Sequence, residues 1–191
     1  MPEQTVLIIR HADKPEPQWG AGVDKNGTPD DRSLTTRGWA RAGVWADLFV
    51  PSLGSPSALP TPATIFASAH VGHHEAAPAD DGSKSRRPEE TITPLAEKLG
   101  VAINLSFTKG GETALATALA AVDGVTLVCW QHEDIIAIAR ALAPNLPGLP
   151  AQWPGDRYNV IFRFQRADRA SSWNFDQIVP VMLTGDLSGA I

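Results

Sequence analysis

Cysteine occurs once in the 191 residues, at Cys129. An intramolecular disulfide is thereby excluded. Because Cys129 lies inside an apolar run, it reads as a small buried hydrophobe of a reducing compartment, not as a catalytic thiol. Positive charge is also scarce: 16 Lys and Arg against 21 Asp and Glu leave a formal charge of −5. With no basic stripe to displace phosphate counterions, a nucleic-acid partner is not expected. Nowhere is there the run of ~20 apolar residues that a membrane span needs. The opening MPEQT has no positive charge, and the apolar run behind it stops at Arg10, too soon for a signal peptide. A cytoplasmic chain without membrane contact is the expectation. No internal repeat is visible.

What the chain does have is apolar content, 43% of residues, enough for one sizeable core and a single domain over 1–191. The run Val6 to Ile9 is β-branched at three of four positions, which predicts a strand buried on both faces, as in parallel sheets. It ends abruptly in Arg10, His11, Ala12 and Asp13, where open α/β sheets place their ligands. Pro15 to Ser33 follows as a polar loop without periodicity, long enough to wall a pocket. Trp19 within it either packs on a ligand or pins the loop.

A helix is predicted from the spacing of Leu34, Trp39, Ala42, Trp45 and Phe49, with Thr35 or Thr36 as cap and Pro51 beyond its end. Ala63 to Ser68 reads as a second strand. A second helix opens with Pro88, Glu89 and Glu90 and stops at Gly100, so Arg86 and Arg87 stand at its start. Val101 to Asn104 is at best a brief strand, and an Ala-rich helix ends at Gly124. Val125 to Trp130 is another apolar strand, followed by His132 and by a helix that Pro144 terminates. Two final strands joined by a polar turn predict an antiparallel edge hairpin. The alternation of strands and helices gives an α/β fold: a three-layer α/β/α sandwich, its central sheet mostly parallel.

Two strand ends carrying Arg10 with His11 and then His132, plus the helix-start pair Arg86 and Arg87, suit one phosphoryl group. A guanidinium pairs two phosphate oxygens at once, and an imidazole can attack phosphorus or donate to an equatorial oxygen. Such a cage needs no metal and no cofactor. His70, His73, His74 and Glu75 match no helical zinc motif and read as surface histidines of a loop. Lys14 and Lys109 are candidates to meet a second anionic group on the ligand, as is Arg86.

In these motifs the chain resembles the histidine phosphatase superfamily, which includes the cofactor-dependent phosphoglycerate mutases. The Arg-His-Gly signature is represented by Arg10, His11 and Ala12, and Leu-Thr-x-x-Gly-x-x-x-Ala by Leu34, Thr35, Gly38 and Ala42. The Arg-Ala-x-Glu/Gln-Thr helix start is matched by Arg87, Pro88, Glu90 and Thr91, a spacing that prefers Arg87 to Arg86. The second histidine falls on His132. The resemblance implies a phosphohistidine on His11, with Arg10, Arg87 and His132 holding the equatorial oxygens. Departures are Ala12 in place of glycine and the position of the general acid. Glu133, next to His132, is the first candidate for that acid, with Glu112 and Asp13 behind it. The function so implied is a phosphatase acting on a small phosphorylated molecule or a phosphoprotein. A mutase, a phosphate-binding module without turnover and a metal-dependent hydrolase built on the His70 loop are the alternatives.

Overall fold

The computed structural model describes residues 3–52, 55–70 and 84–191. Its strands are β1 (Gln4–Arg10), β2 (Thr64–Ala67), β3 (Ile103–Asn104), β4 (Gly124–Trp130), β5 (Ile161–Arg166) and β6 (Asn174–Ile178). Interleaved with them are helices α1 (Thr36–Phe49), α2 (Arg87–Leu99), α3 (Glu112–Ala121) and α4 (His132–Leu142). The sheet runs β3-β2-β4-β1-β5-β6. Its first four strands are parallel, and β5 and β6 close it as the antiparallel edge hairpin.

Strand alternation divides the core in two. Val6 and Ile8 of β1, with Val128 and Trp130 of β4, pack against α3 and α4. Leu7, Ile9, Leu127 and Cys129 face α1 and α2. Each layer is a helix pair, α1 on α2 and α3 on α4, so the sheet is covered on both sides. This is why β1 reads as an unbroken apolar run: all four of its aliphatic residues are fully buried, each worth ~1.5–3 kcal/mol. Cys129 is buried too, and burial pushes its thiol well above the ordinary range.

Local signals set the helix ends. Thr35 caps α1, its hydroxyl accepting from the Gly38 N–H at 3.1 Å. Gly38 is required for another reason: a Cβ there would lie 2.5 Å from the Asp13 carbonyl oxygen, so only glycine lets α1 approach the loop after β1. Helix α2 carries Glu89 and Glu90 in its first turn and closes on Gly100 in the left-handed conformation, φ 67°. Helix α4 begins at His132 itself, with Gln131 as its cap, so this histidine belongs to a helix start and not to a loop. Past β6, the tail around 180–189 has neither helix nor strand. It is held by the Asn159 amide, which donates to the Pro180 and Leu187 carbonyls at 2.8 Å each.

Candidate active site

The carboxyl ends of β1 and β4 lie side by side, and the ladder continues past Arg10 through the His11 N–H, which donates to the Trp130 carbonyl at 3.0 Å. His11 is buried, and its Nδ1 lies 2.8 Å from the Ala12 carbonyl oxygen. A carbonyl only accepts, so Nδ1 carries the proton and Nε2 keeps its lone pair. Burial, first, and then the charge of Arg10 hold this imidazole well below the ordinary histidine range, with smaller contributions from Arg87 and His132. The Ala12 bond works in the opposite direction and is outweighed. His11 is thus a neutral imidazole held in one orientation.

Arg10 is fully buried and lodged by its neighbours. Its Nη1 donates to the Gly155 carbonyl at 2.6 Å, its Nη2 lies 3.4 Å from His132 Nδ1, and its Cζ sits 3.8 Å above the Tyr158 ring. Burial lowers its pKa to about 10, which leaves it a cation at neutral pH. The His11 and His132 rings meet edge to face at 6.3 Å, and Tyr158 meets His11 at 6.4 Å. The Tyr158 hydroxyl lies 3.5 Å from Glu16 Oε1, and burial raises its pKa.

His132 Nδ1 is 2.9 Å from Glu133 Oε2, while Glu133 Oε1 accepts from Lys109 Nζ at 2.8 Å. The hydrogen bond with His132, first, and then that from Lys109 hold the Glu133 carboxyl far below the usual carboxylate range. Glu133 is therefore an ionised acceptor that fixes His132 with Nε2 free. Lys109, also 3.2 Å from Asp134, is committed to this cluster and not to an open anion site.

Arg87 opens α2, and its charge reaches His11. Its own N–H groups donate to the Asp31 carbonyl at 2.5 Å, the Ser33 carbonyl at 3.2 Å and the Ser85 hydroxyl at 3.4 Å. Glu90, one turn on, accepts from the Ser33 hydroxyl and the Leu34 N–H, so the loop over 31–34 is clamped to the start of α2. Arg86 points elsewhere. It is half-exposed, 3.8 Å from Asp30, and lines a cleft of about 390 Å³ with Lys25, Trp39, His70 and Glu89. Lys14 lies 3.9 Å from Glu16.

The two remaining acid candidates are engaged as well. Asp13 is buried, and both its oxygens accept from guanidinium groups, Arg41 Nε at 2.6 Å and Arg37 Nε at 3.0 Å. Glu112 Oε1 accepts from the Trp130 indole and from the Gly110 N–H, each at 3.0 Å. Trp19 lies under Arg37, 4.4 Å from its Cζ, so it pins the loop to α1. His70 pairs with Glu89 at 3.5 Å, whereas His73, His74 and Glu75 lie outside the described residues. Among the described residues no group of three or more His, Cys, Asp or Glu could hold a metal ion.

Sequence reasoning passed over Tyr158, the one tyrosine of the chain, although it lay within the run RYNVIFRFQR read as a strand; β5 itself starts three residues later, at Ile161. It also missed the Pro154 to Arg157 turn, whose carbonyls seat Arg10.

No protein-family model matches the chain, and no curated protein matches it. Solved structures do. A protein histidine phosphatase, SixA, complexed with tungstate, superposes with a TM-score of 0.56 at 15% identity, over 92% of this chain and 97% of that one. A mycobacterial glucosyl-3-phosphoglycerate phosphatase complexed with VO3 gives 0.54 at 14%, over 91% and 97%. A structure named mycobacterial hydrolase 2 gives 0.53 at 14%, over 92% and 90%. The chain has the phosphoglycerate-mutase-like α/β fold of these phosphatases along nearly its whole length.

Proposed function

We propose that this chain is a phosphatase of the histidine phosphatase superfamily, working through a phosphohistidine on His11 and needing no metal. The observation that carries the reading is the state of His11: buried, neutral, its Nδ1–H tied to Ala12, beside the cations Arg10 and Arg87. Neutral Nε2 attacks phosphorus, the bond to the leaving group breaks with its electron pair, and the ring becomes a phosphorylated imidazolium still bonded to Ala12. Water oxygen then bonds to phosphorus and the N–P pair returns to Nε2. Both water protons leave with dihydrogen phosphate. Arg10 and Arg87 stabilise the equatorial charge, and His132, its Nδ1–H held by Glu133, joins them as the imidazolium by donating from Nε2–H.

The substrate class follows from the engaged carboxylates. Asp13, Glu112 and Glu133 all accept hydrogen bonds from groups other than a ligand, and Glu133 is ionised. This supports a substrate whose leaving group departs without a proton from the enzyme. The protonated imidazole of a phosphohistidine is such a group, and so is a phenolate of low pKa. A phosphoprotein or a small phosphoramidate is therefore preferred over an alkyl phosphate.

The test is phosphate release, with excess chelator, from p-nitrophenyl phosphate, a phosphohistidine peptide and an alkyl phosphate, for the intact protein and His11→Ala. Turnover of the first two by the intact protein alone is expected. Activity that survives in His11→Ala removes the nucleophile, and equal rates on the alkyl phosphate remove the leaving-group argument.

A further inference from the structure

One polar side chain at this sheet edge has no role in the cage described above. Gln131 is 3% exposed, and among the described residues neither its Oε1 nor its Nε2 has a hydrogen-bond partner. It caps α4 by position only, without a side-chain bond. Buried amides are almost always satisfied, because leaving donor and acceptor unpaired away from water destabilises the fold. An amide kept there against that cost calls for a partner.

Its placement says which. The backbone at Gln131 is extended, φ −73° and ψ 133°, so the alternation of β4 carries on through it. Leu127 and Cys129 face α1 and α2, Val128 and Trp130 face the other way, and Gln131 falls on the first side. On β1 the same alternation takes Leu7 and Ile9 to His11. Arg10 pairs with Trp130, and the His11 N–H bonds the Trp130 carbonyl, so the next rung sets Gln131 beside His11 on the same face. The other groups on this face are spoken for: the Ala12 N–H donates to Thr91 Oγ1, and Thr91 donates to the Arg87 carbonyl. At the ends of the flanking strands, Arg10 Nε and Ser68 Oγ are further buried donors without a partner among the described residues.

We propose that Gln131 is a catalytic residue whose amide Nε2–H donates to an equatorial oxygen of the phosphoryl group while it is transferred to and from His11. The proposal rests on the phosphohistidine reading and adds a neutral donor to its three cationic or imidazole ones. Arg87 gives this donor its importance, because that guanidinium already serves the carbonyls of Asp31 and Ser33.

The experiment compares intact protein, Gln131→Met and Gln131→Glu by turnover of p-nitrophenyl phosphate and by the thermal shift that inorganic phosphate produces. Methionine keeps the length and removes the unpaired amide, so its melting temperature equals or exceeds that of the intact protein. Its turnover falls about 10²-fold, as for loss of one transition-state donor, and its phosphate shift shrinks. Glutamate, adding a negative charge, reduces the phosphate shift further. A methionine variant that melts lower yet turns over normally would mean that solvent satisfies the amide, and the proposal falls. Equal phosphate shifts across the three proteins, with turnover intact, overturn it while sparing the phosphatase reading. An intact protein that neither binds phosphate nor turns over removes both.

Discussion

Replacing Asp186 by alanine tests the coupling between the C-terminal tail and the turn after β1. Asp186 accepts from Arg41 Nη1 and Nη2 at 2.8 Å each and from the backbone N–H groups of Met182 and Leu183 at 3.0 Å. Arg41, itself buried, donates onward to Asp13, two residues from His11, and Arg37 lies 3.8 Å from Asp186. Arg37 and Arg41 are thus balanced by Asp13 and Asp186, and Asp186→Ala leaves two cations to share one carboxylate. Removing one partner of a buried ion pair costs ~3–5 kcal/mol; because Asp13 remains, the lower figure, ~3 kcal/mol, applies. At ~2–4 °C per kcal/mol for a chain of this size, the melting temperature should drop by about 6–12 °C at pH 7.

The pH dependence of that gap has a definite sign. Burial pushes the Asp186 carboxyl up, but the bonds from Arg41 and the two backbone N–H groups outweigh it and leave the pKa below its ordinary value. A carboxylate depressed in the folded state contributes fully above its unfolded pKa of about 4 and loses that contribution as pH falls toward the folded value. Thermal melts of both proteins should therefore differ most at pH 5 to 8, and the gap should narrow as pH falls below about 4. A difference under about 2 °C at pH 7, or a gap of constant size down to pH 3, would refute the argument.

Three further outcomes are expected. Because burial and Arg10 keep the imidazole of His11 neutral well below the ordinary range, protonation of His11 should put no acid limb in kcat between pH 8 and 6.5; a limb there matched by titration of the His11 ring in NMR spectra of the intact protein would contradict this reading. Gly38→Ala should cost ~1–3 kcal/mol by pressing a methyl group on the Asp13 carbonyl, and denaturant melts and turnover should fall together. Tyr158→Phe should keep the ring under Arg10 and most of the activity, whereas Tyr158→Leu removes a cation–π contact worth up to ~2 kcal/mol and should lower kcat/KM; equal activity of the two would deny the ring its role.

Much of the architecture was legible in the residues because it rests on local patterns. The unbroken apolar runs of β1 and β4 state that both faces are covered, and the helical spacing from Leu34 to Phe49, capped at Thr35, fixes α1 before any tertiary contact is known. The polar break after each run marks the carboxyl edge of the sheet as the candidate site. Arg10, His11 and His132 meet there because parallel strands end on the same side, a consequence of topology that sequence order already implies.

What the sequence could not decide was how each charged group is spent. Glu133 stands beside His132 in the chain as an acid would, yet its hydrogen bond with His132 and the one from Lys109, 24 residues away, hold it ionised. Asp13 is taken by Arg41, and Arg41 by Asp186, 145 residues further on; Arg86 and Arg87 part company because one leaves the helix start toward Asp30 and the other toward Ser33. Tyr158 and Gln131 carry no motif at all. Hydrophobic burial repeats with the period of the element and so can be read along the chain, whereas an ion pair or an unpaired amide depends on which distant side chain arrives within 3 Å. That choice belongs to the folded molecule alone.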